Sequence, residues 1–274
     1  MPRRFRDLPI RGKLLAMVLV PLAVVLPLLG IILLVWADLS FDRLLITKVR
    51  SDLAVANGYF ERVLGEVGAS AATLADSNAL HLELARQPAA DLVPLLQRFK
   101  AREGLDFVNF RRSDGTLVAT DFAPAGETGA APAFRLGGAA QRRASIEILS
   151  PDELKRLAPA LIPRVAVPLV ETLNAAPTTR AQEDRAMVVL ASAPVVSADG
   201  RQLGHVQAGV LLNRNLPFID HINGIVYPEG SLPFGSQGTA TLFLDDVRIS
   251  TNVRLFGADP TNRAIGTRVS QTVR

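Results

Sequence analysis

The residues able to do chemistry are few and scattered. The three histidines, His81, His205 and His221, fall in three separate stretches. A metal site would need them to converge with carboxylates, and their spacing does not bring them together. Asp245-Asp246 lies between two extended runs and is expected to be a turn, because Asp favours tight turns. Gly235-Ser236-Gln237-Gly238 enters an extended run and lacks the spacing of a phosphate cradle. Glu183-Asp184-Arg185 stands just before a strongly apolar run, where it faces either a ligand or solvent. No nucleotide-binding glycine motif, zinc-protease helix motif or serine-nucleophile elbow occurs. Cysteine is absent, which excludes thiol catalysis, Cys-ligated metals and disulfides. No catalytic residue, metal site or cofactor is expected.

What remains is arginine. Arg111, Arg112, Arg164, Arg180 and Arg185 suggest an anion site, because the guanidinium fork matches a carboxylate. Residues 105–212 nevertheless balance 11 basic against 11 acidic side chains, so no net field supports the idea. The candidate ligand set is Arg164 and Arg185, each bordering a predicted strand and a long loop. Asp184 and Arg112 stand beside them, and the expected ligand is an organic anion.

The net charge of +4 has a location. Residues 1–13 hold five basic side chains against Asp7 alone, so the remainder sums to zero. A nucleic-acid binder carries its positive stripe on the folded body, which argues against that class. After this basic tip, residues 14–37 form a run without a charge. As a helix it spans about 36 Å, against the roughly 30 Å of a bilayer core. The run is longer than a signal-peptide core, so an uncleaved anchor is preferred to a leader. The positive-inside rule places residues 1–13 in the cytoplasm and 38–274 outside.

Residues 41–75 continue as a helix. Leu45, Val49, Leu53, Phe60, Leu64, Val67, Ala71 and Leu74 form one narrow seam. The seam either joins two copies into a homodimer or packs on its own domain. Shorter helices are predicted at 77–86 and 90–102, with Gly104 as a stop. Hairpins follow at 105–120 and 186–212, around Ser113-Asp114-Gly115 and Ser197-Ala198-Asp199-Gly200. Residues 121–145 read as a loop, 151–158 as a helix capped by Ser150, and 164–170 as an edge strand. Residues 171–183 read as a loop, 216–226 as a linking helix, and 239–253 as a third hairpin. The fold class is α+β: a transmembrane helix, a long stalk helix, a five-stranded antiparallel PAS-like sheet and the start of a second sheet.

Several stretches resemble a known family. They are residues 211–215 (LLNRN), 227–232 (YPEGSL), 238–254 (GTATLFLDDVRISTNVR) and 263–268 (RAIGTR). Together they resemble the extracytoplasmic Cache sensor region of bacterial membrane-bound sensor histidine kinases and chemoreceptors. The run 239–254 followed by 263–268 is the most specific part. Residues 257–262 are longer than the family's usual turn, and residues 121–163 match only in position. The resemblance implies a periplasmic, inner-membrane module that binds a small molecule and relays it through stalk helices. Family members continue into further strands, a second span and an output domain. The chain is therefore expected to be the sensory portion of a larger receptor, truncated before its output domain. Its expected layout is a cytoplasmic tip (1–13), a span (14–37), a stalk with helical layer (38–104) and a membrane-distal sheet (105–213). A link (214–238) and the start of a membrane-proximal sheet (239–274) complete it. The first reading of its function is signal input to a two-component sensor histidine kinase. The alternatives are input to a methyl-accepting chemoreceptor, or a membrane-anchored binding domain without signalling. An anchored periplasmic enzyme is disfavoured by the missing catalytic cluster.

Overall fold

A computed structural model describes residues 10–86, 91–121, 142–232, 236–255 and 262–271. The chain divides into two units, Met1–Ala54 and Val55–Arg274. Helix α1 runs Ile10–Ala75 and continues through Pro21 and Pro27.

In the first unit, residues 21–29 are consecutive exposed positions, so apolar side chains face outward all around the helix. Val24, Leu28, Ile31 and Trp36 are among them or just beyond, each more than half exposed. Among the described residues, no helix is long and apolar enough to cross a membrane. Residues 1–9 of the predicted tip (1–13) lie outside the described residues.

The second unit is built on an antiparallel sheet. Its strands are β1 (Phe107–Arg112), β2 (Leu117–Thr120), β3 (Arg143–Leu149), β6 (Ala186–Val196) and β7 (Gln202–Leu211), in the order β2-β1-β7-β6-β3. Alternation sends Val108, Phe110, Val206, Ala208, Ala191 and Ala193 to one face. There they meet Val67, Ala71 and Leu74 of α1, Leu80 of α2 (Asn78–Ala85) and Leu96 and Phe99 of α3 (Leu92–Glu103). Phe218, Ile219 and Ile222 of α6 (Leu216–Val226) close this layer. The spacing 218, 219, 222 gives α6 one apolar stripe, and Asn215 caps it by accepting the Phe218 N–H at 3.1 Å.

The opposite face is shorter and different. Phe107, Val188, Leu190 and Leu211 lie under α4 (Pro151–Leu157), a 3-10 turn (Pro159–Leu161) and α5 (Ile162–Val165). Ser150 and Glu153 form a capping box on α4, with Pro151 at the helix start. Two small ribbons remain, β4 (Val167–Pro168) with β5 (Gln182–Glu183), and β8 (Thr241–Leu244) with β9 (Val247–Thr251). Val167, Leu244, Val247 and Ile249 bury together.

Two expectations are corrected. The fifth strand is β3, which begins in the stretch 121–145 read as a loop and runs beyond its end to Leu149. The predicted strand 164–170 is instead the end of α5 and a two-residue ribbon. Pro163 starts a helical turn, and Pro168 has no N–H to extend a ladder. The pattern hid β3 because it is an edge strand. Its Ile146 and Ile148 stay 41% and 52% exposed, and Ser145 and Glu147 fill its other face. Residues 122–141, the rest of that predicted loop, lie outside the described residues.

The stalk seam divides. Val67, Ala71 and Leu74 are buried in their own core, and Phe60 and Leu64 pack against it. Val49 and Leu53 are 64% and 68% exposed. The Leu45 side chain lies outside the described residues.

Candidate functional site

The outer face of the sheet has an apolar half and a polar half. On β1, Phe107, Asn109 and Arg111 alternate onto this face, and on β7 Leu211, Gly209 and Gln207 do so. Phe107 and Leu211 belong to the half under α4 and α5. Asn109, opposite Gln207 and Thr120, and Arg111, opposite His205, form the polar half.

Arg111 is only 6% exposed. Its Nε donates to Gln207 Oε1 at 2.9 Å, and its Nη1 donates to the Gly115 carbonyl at 3.2 Å. Both acceptors are neutral. Among the described residues, no carboxylate pairs with it. A buried charge without a counter-charge is costly, and burial pushes the Arg111 pKa down. Asn109 is fully buried. Its Nδ2 donates to the Leu157 carbonyl at 2.7 Å, while its Oδ1 has no partner among the described residues. The polar half thus offers a desolvated fork donor and a free acceptor. That set suits a carboxylate that also carries an N–H or O–H.

His205 is half-buried beside them, and burial pushes its pKa down. Gln202 Nε2 donates to its Nε2 at 2.6 Å, which requires a neutral ring accepting at that nitrogen. Gly204 makes the close approach of β7 possible. A Cβ there would stand 2.0 Å from the Arg111 carbonyl oxygen.

Arg164 and Arg185, the carboxylate partners expected from the sequence, are already engaged. Arg164, at the end of α5, pairs with Asp106. Arg185 donates from Nε and Nη2 to the two oxygens of Glu183, both at 2.8 Å, and from Nη2 to Asp245 at 2.7 Å. Asp184 and Arg112 are exposed. The structure does not gather these four around one cavity. Arg185 instead belongs to a chain of alternating charges. Arg180 donates to Glu183 at 2.7 Å and stands 3.6 Å from Asp246. Arg268 donates to Asp246 at 3.0 and 2.6 Å and to the Ala176 carbonyl at 2.5 Å. Burial opposes ionisation of Glu183, but the hydrogen bonds from Arg185 and Arg180 hold its carboxyl below the usual range. The chain ties the predicted 171–183 loop to the turn at Asp245, whose φ is +54°.

The histidines are apart. His81 contacts the Ala75 carbonyl at 3.0 Å, His205 lies on β7, and the His221 ring lies 4.9 Å from the Tyr59 ring, tilted by 49°. Among the described residues, no three His, Asp or Glu side chains come together as a metal site. The predicted turn 257–262 lies outside the described residues, apart from Asn262. Of the predicted glycine-rich loop 235–238, Gly235 lies outside them too.

The family model "Single cache domain 3" matches residues 210–274, about a quarter of the chain. The match contains the LLNRN, TATLFLDDVRISTNVR and RAIGTR stretches, with Asp245, Asp246 and Arg268, and begins after Arg111 and Asn109. No curated protein matches the chain.

Among solved structures, the periplasmic domain of Vibrio cholerae LuxQ is similar in outline. It is 15% identical with a TM-score of 0.46, over 77% of this chain and 81% of that one. The ligand-binding domain of the Campylobacter jejuni chemoreceptor Tlp3, in complex with L-valine, is 7% identical with a TM-score of 0.36. It covers 74% of this chain and 68% of its own.

Proposed function

We propose that this chain is the extracytoplasmic signal-input region of a membrane-bound bacterial receptor, and that it reads a small organic anion held by Arg111. One observation carries the reading. Among the described residues, Arg111 is buried on neutral oxygens only, and it shares a strand face with Asn109, whose Oδ1 has no partner among them. An arginine in that setting gains most from an incoming carboxylate. Arg164 and Arg185, the carboxylate partners expected from the sequence, take the role of structural ion pairs in this reading. No catalytic step is assigned to the chain.

The remainder rests on the sequence. Residues 14–37 anchor the chain, with 1–13 cytoplasmic and 38–274 outside, because positive charge stays on the cytoplasmic side. Residues 105–213 are the membrane-distal sheet and 239–274 the beginning of a membrane-proximal one. The output is a sensor histidine kinase, following the sequence resemblance. Two copies pair through the stalk, where Val49 and Leu53 leave an apolar stripe exposed. A ligand acts only if it binds two stalk arrangements with different affinity.

The test is a thermal-shift screen of the full chain in detergent against mono- and dicarboxylates, neutral metabolites and amines. The reading expects carboxylates as a class to raise the melting temperature in a concentration-dependent way. Stabilisation by neutral compounds with none from any carboxylate contradicts it.

A further inference from the structure

The helix-covered side of the sheet carries a cavity whose chemistry is opposite to that of the Arg111 cluster. Between the C-terminal part of α1, the end of α3 and α6 lies a cleft of about 410 Å³. That volume is in the usual range for small-molecule sites, roughly 300–1,000 Å³. Its lining includes two carboxylates, Glu66 and Glu103, and no Lys or Arg.

Glu103 Oε2 accepts from Ser70 Oγ at 2.9 Å, and Oε1 accepts from Arg102 Nε at 2.9 Å. Those bonds hold its carboxyl below the usual range, so it is charged at neutral pH. Glu66 accepts from Arg62 at 2.8 Å in a pair with side chains 72% and 59% exposed. A pair that exposed is worth little and leaves Glu66 able to engage another cation. The wall beside them is aromatic. The Tyr59 ring lies 5.4 Å from Phe218 and 4.9 Å from His221. The Tyr59 phenol has no hydrogen-bond partner among the described residues.

We infer that this cleft binds an organic ammonium ion, its charge toward Glu66 and Glu103 and its apolar body against Tyr59 and Phe218. Ring faces attract cations, and the effect grows as the cation is desolvated. Carboxylates at the rim supply the charge that a ring face alone does not. The site is separate from Arg111, which faces the other side of the sheet, so the two predict opposite ligand charge.

The experiment is titration calorimetry of the full chain in detergent with choline, phenethylammonium and putrescine, and with acetate as the anionic control. At least one ammonium is expected to bind saturably. Binding is expected to weaken at least tenfold in the Glu66→Gln/Glu103→Gln double variant and in Tyr59→Leu, and to be unchanged in Arg111→Gln. Melting followed by circular dichroism checks that each variant folds. If Tyr59→Leu does not fold, Glu66→Gln, at an exposed position, carries the test by itself. No binding of any ammonium to the wild-type chain overturns the inference, as does equal binding by the wild type and the carboxamide variants. Because Arg111→Gln is measured alongside, failure here is distinguishable from failure of the anion reading.

Discussion

Arg111 and Arg268 are nearly equally hidden, at 6% and 9% exposed, yet their surroundings differ in one respect. Arg268 sits on Asp246, itself buried, with two bonds to Oδ2. Arg111 sits on an amide and a backbone carbonyl. The first is a completed ion pair whose members satisfy each other. The second is a desolvated cation whose neighbours leave its charge uncompensated. Burial alone does not separate structure from function, whereas burial together with the identity of the partner does.

Substitution should separate the two most clearly. Arg268→Ala leaves Asp246 buried beside only the more distant Arg180, and breaking such a pair typically costs about 3–5 kcal/mol. Arg111→Gln removes an uncompensated charge and keeps a hydrogen-bonding group, so stability is expected to stay level or rise. Urea unfolding of both variants measures the contrast, and a large loss in Arg111→Gln would break it.

A smaller effect is expected next to Arg111. Gly204→Ala puts a Cβ 2.0 Å from the Arg111 carbonyl and 2.8 Å from the Phe110 ring. Overpacking of this kind costs typically about 1–3 kcal/mol. The same urea experiment reads it, and an unchanged midpoint would show that β7 can move away from β1.

The subtlest expected signal lies in the pH profile. The folded state lowers the Glu183 pKa through Arg185 and Arg180 against the cost of burial. The ionised form is therefore favoured by folding. The contribution is fully present above the unfolded carboxylate value of about 4.3 and is lost as pH falls through the lower folded value. Glu183→Gln should flatten the acid limb of a stability–pH curve. Among the described residues no carboxylate pairs with Arg111, so Arg111→Gln should leave that limb unchanged.

Much of the fold was legible because local chemistry matched the final structure. Gly104 ends α3 at φ +65°, Ser150 and Pro151 open α4, and the hairpins at 105–120, 186–212 and 239–253 carry their turn residues. β3 was not legible, because an edge strand with exposed isoleucines lacks the burial that produces a clean alternation. The site was half legible. Phe107, Asn109 and Arg111 alternate on one strand face, which marks Arg111 as inward, but the overall charge balance of the region concealed a local imbalance. Arg164 and Arg185 drew attention because each borders a predicted strand. Arg164 pairs with Asp106, 58 residues away, and Arg185 pairs both with its near neighbour Glu183 and with Asp245, 60 residues away, so the tertiary fold is needed to see both distant partners.

The central claim is that Arg111, and not Arg164 or Arg185, holds an anionic ligand. Its most direct test is a set of binding isotherms for the best carboxylate from the thermal-shift screen, on wild type, Arg111→Gln and Arg164→Ala/Arg185→Ala. Loss of a charged hydrogen-bond partner to a bound ion costs about 2–5 kcal/mol, or roughly 30-fold to more than 1,000-fold in affinity. That loss is expected in Arg111→Gln, with the double variant within about threefold of wild type provided it remains folded. Unchanged affinity in Arg111→Gln, with binding abolished in the folded double variant, would contradict the account.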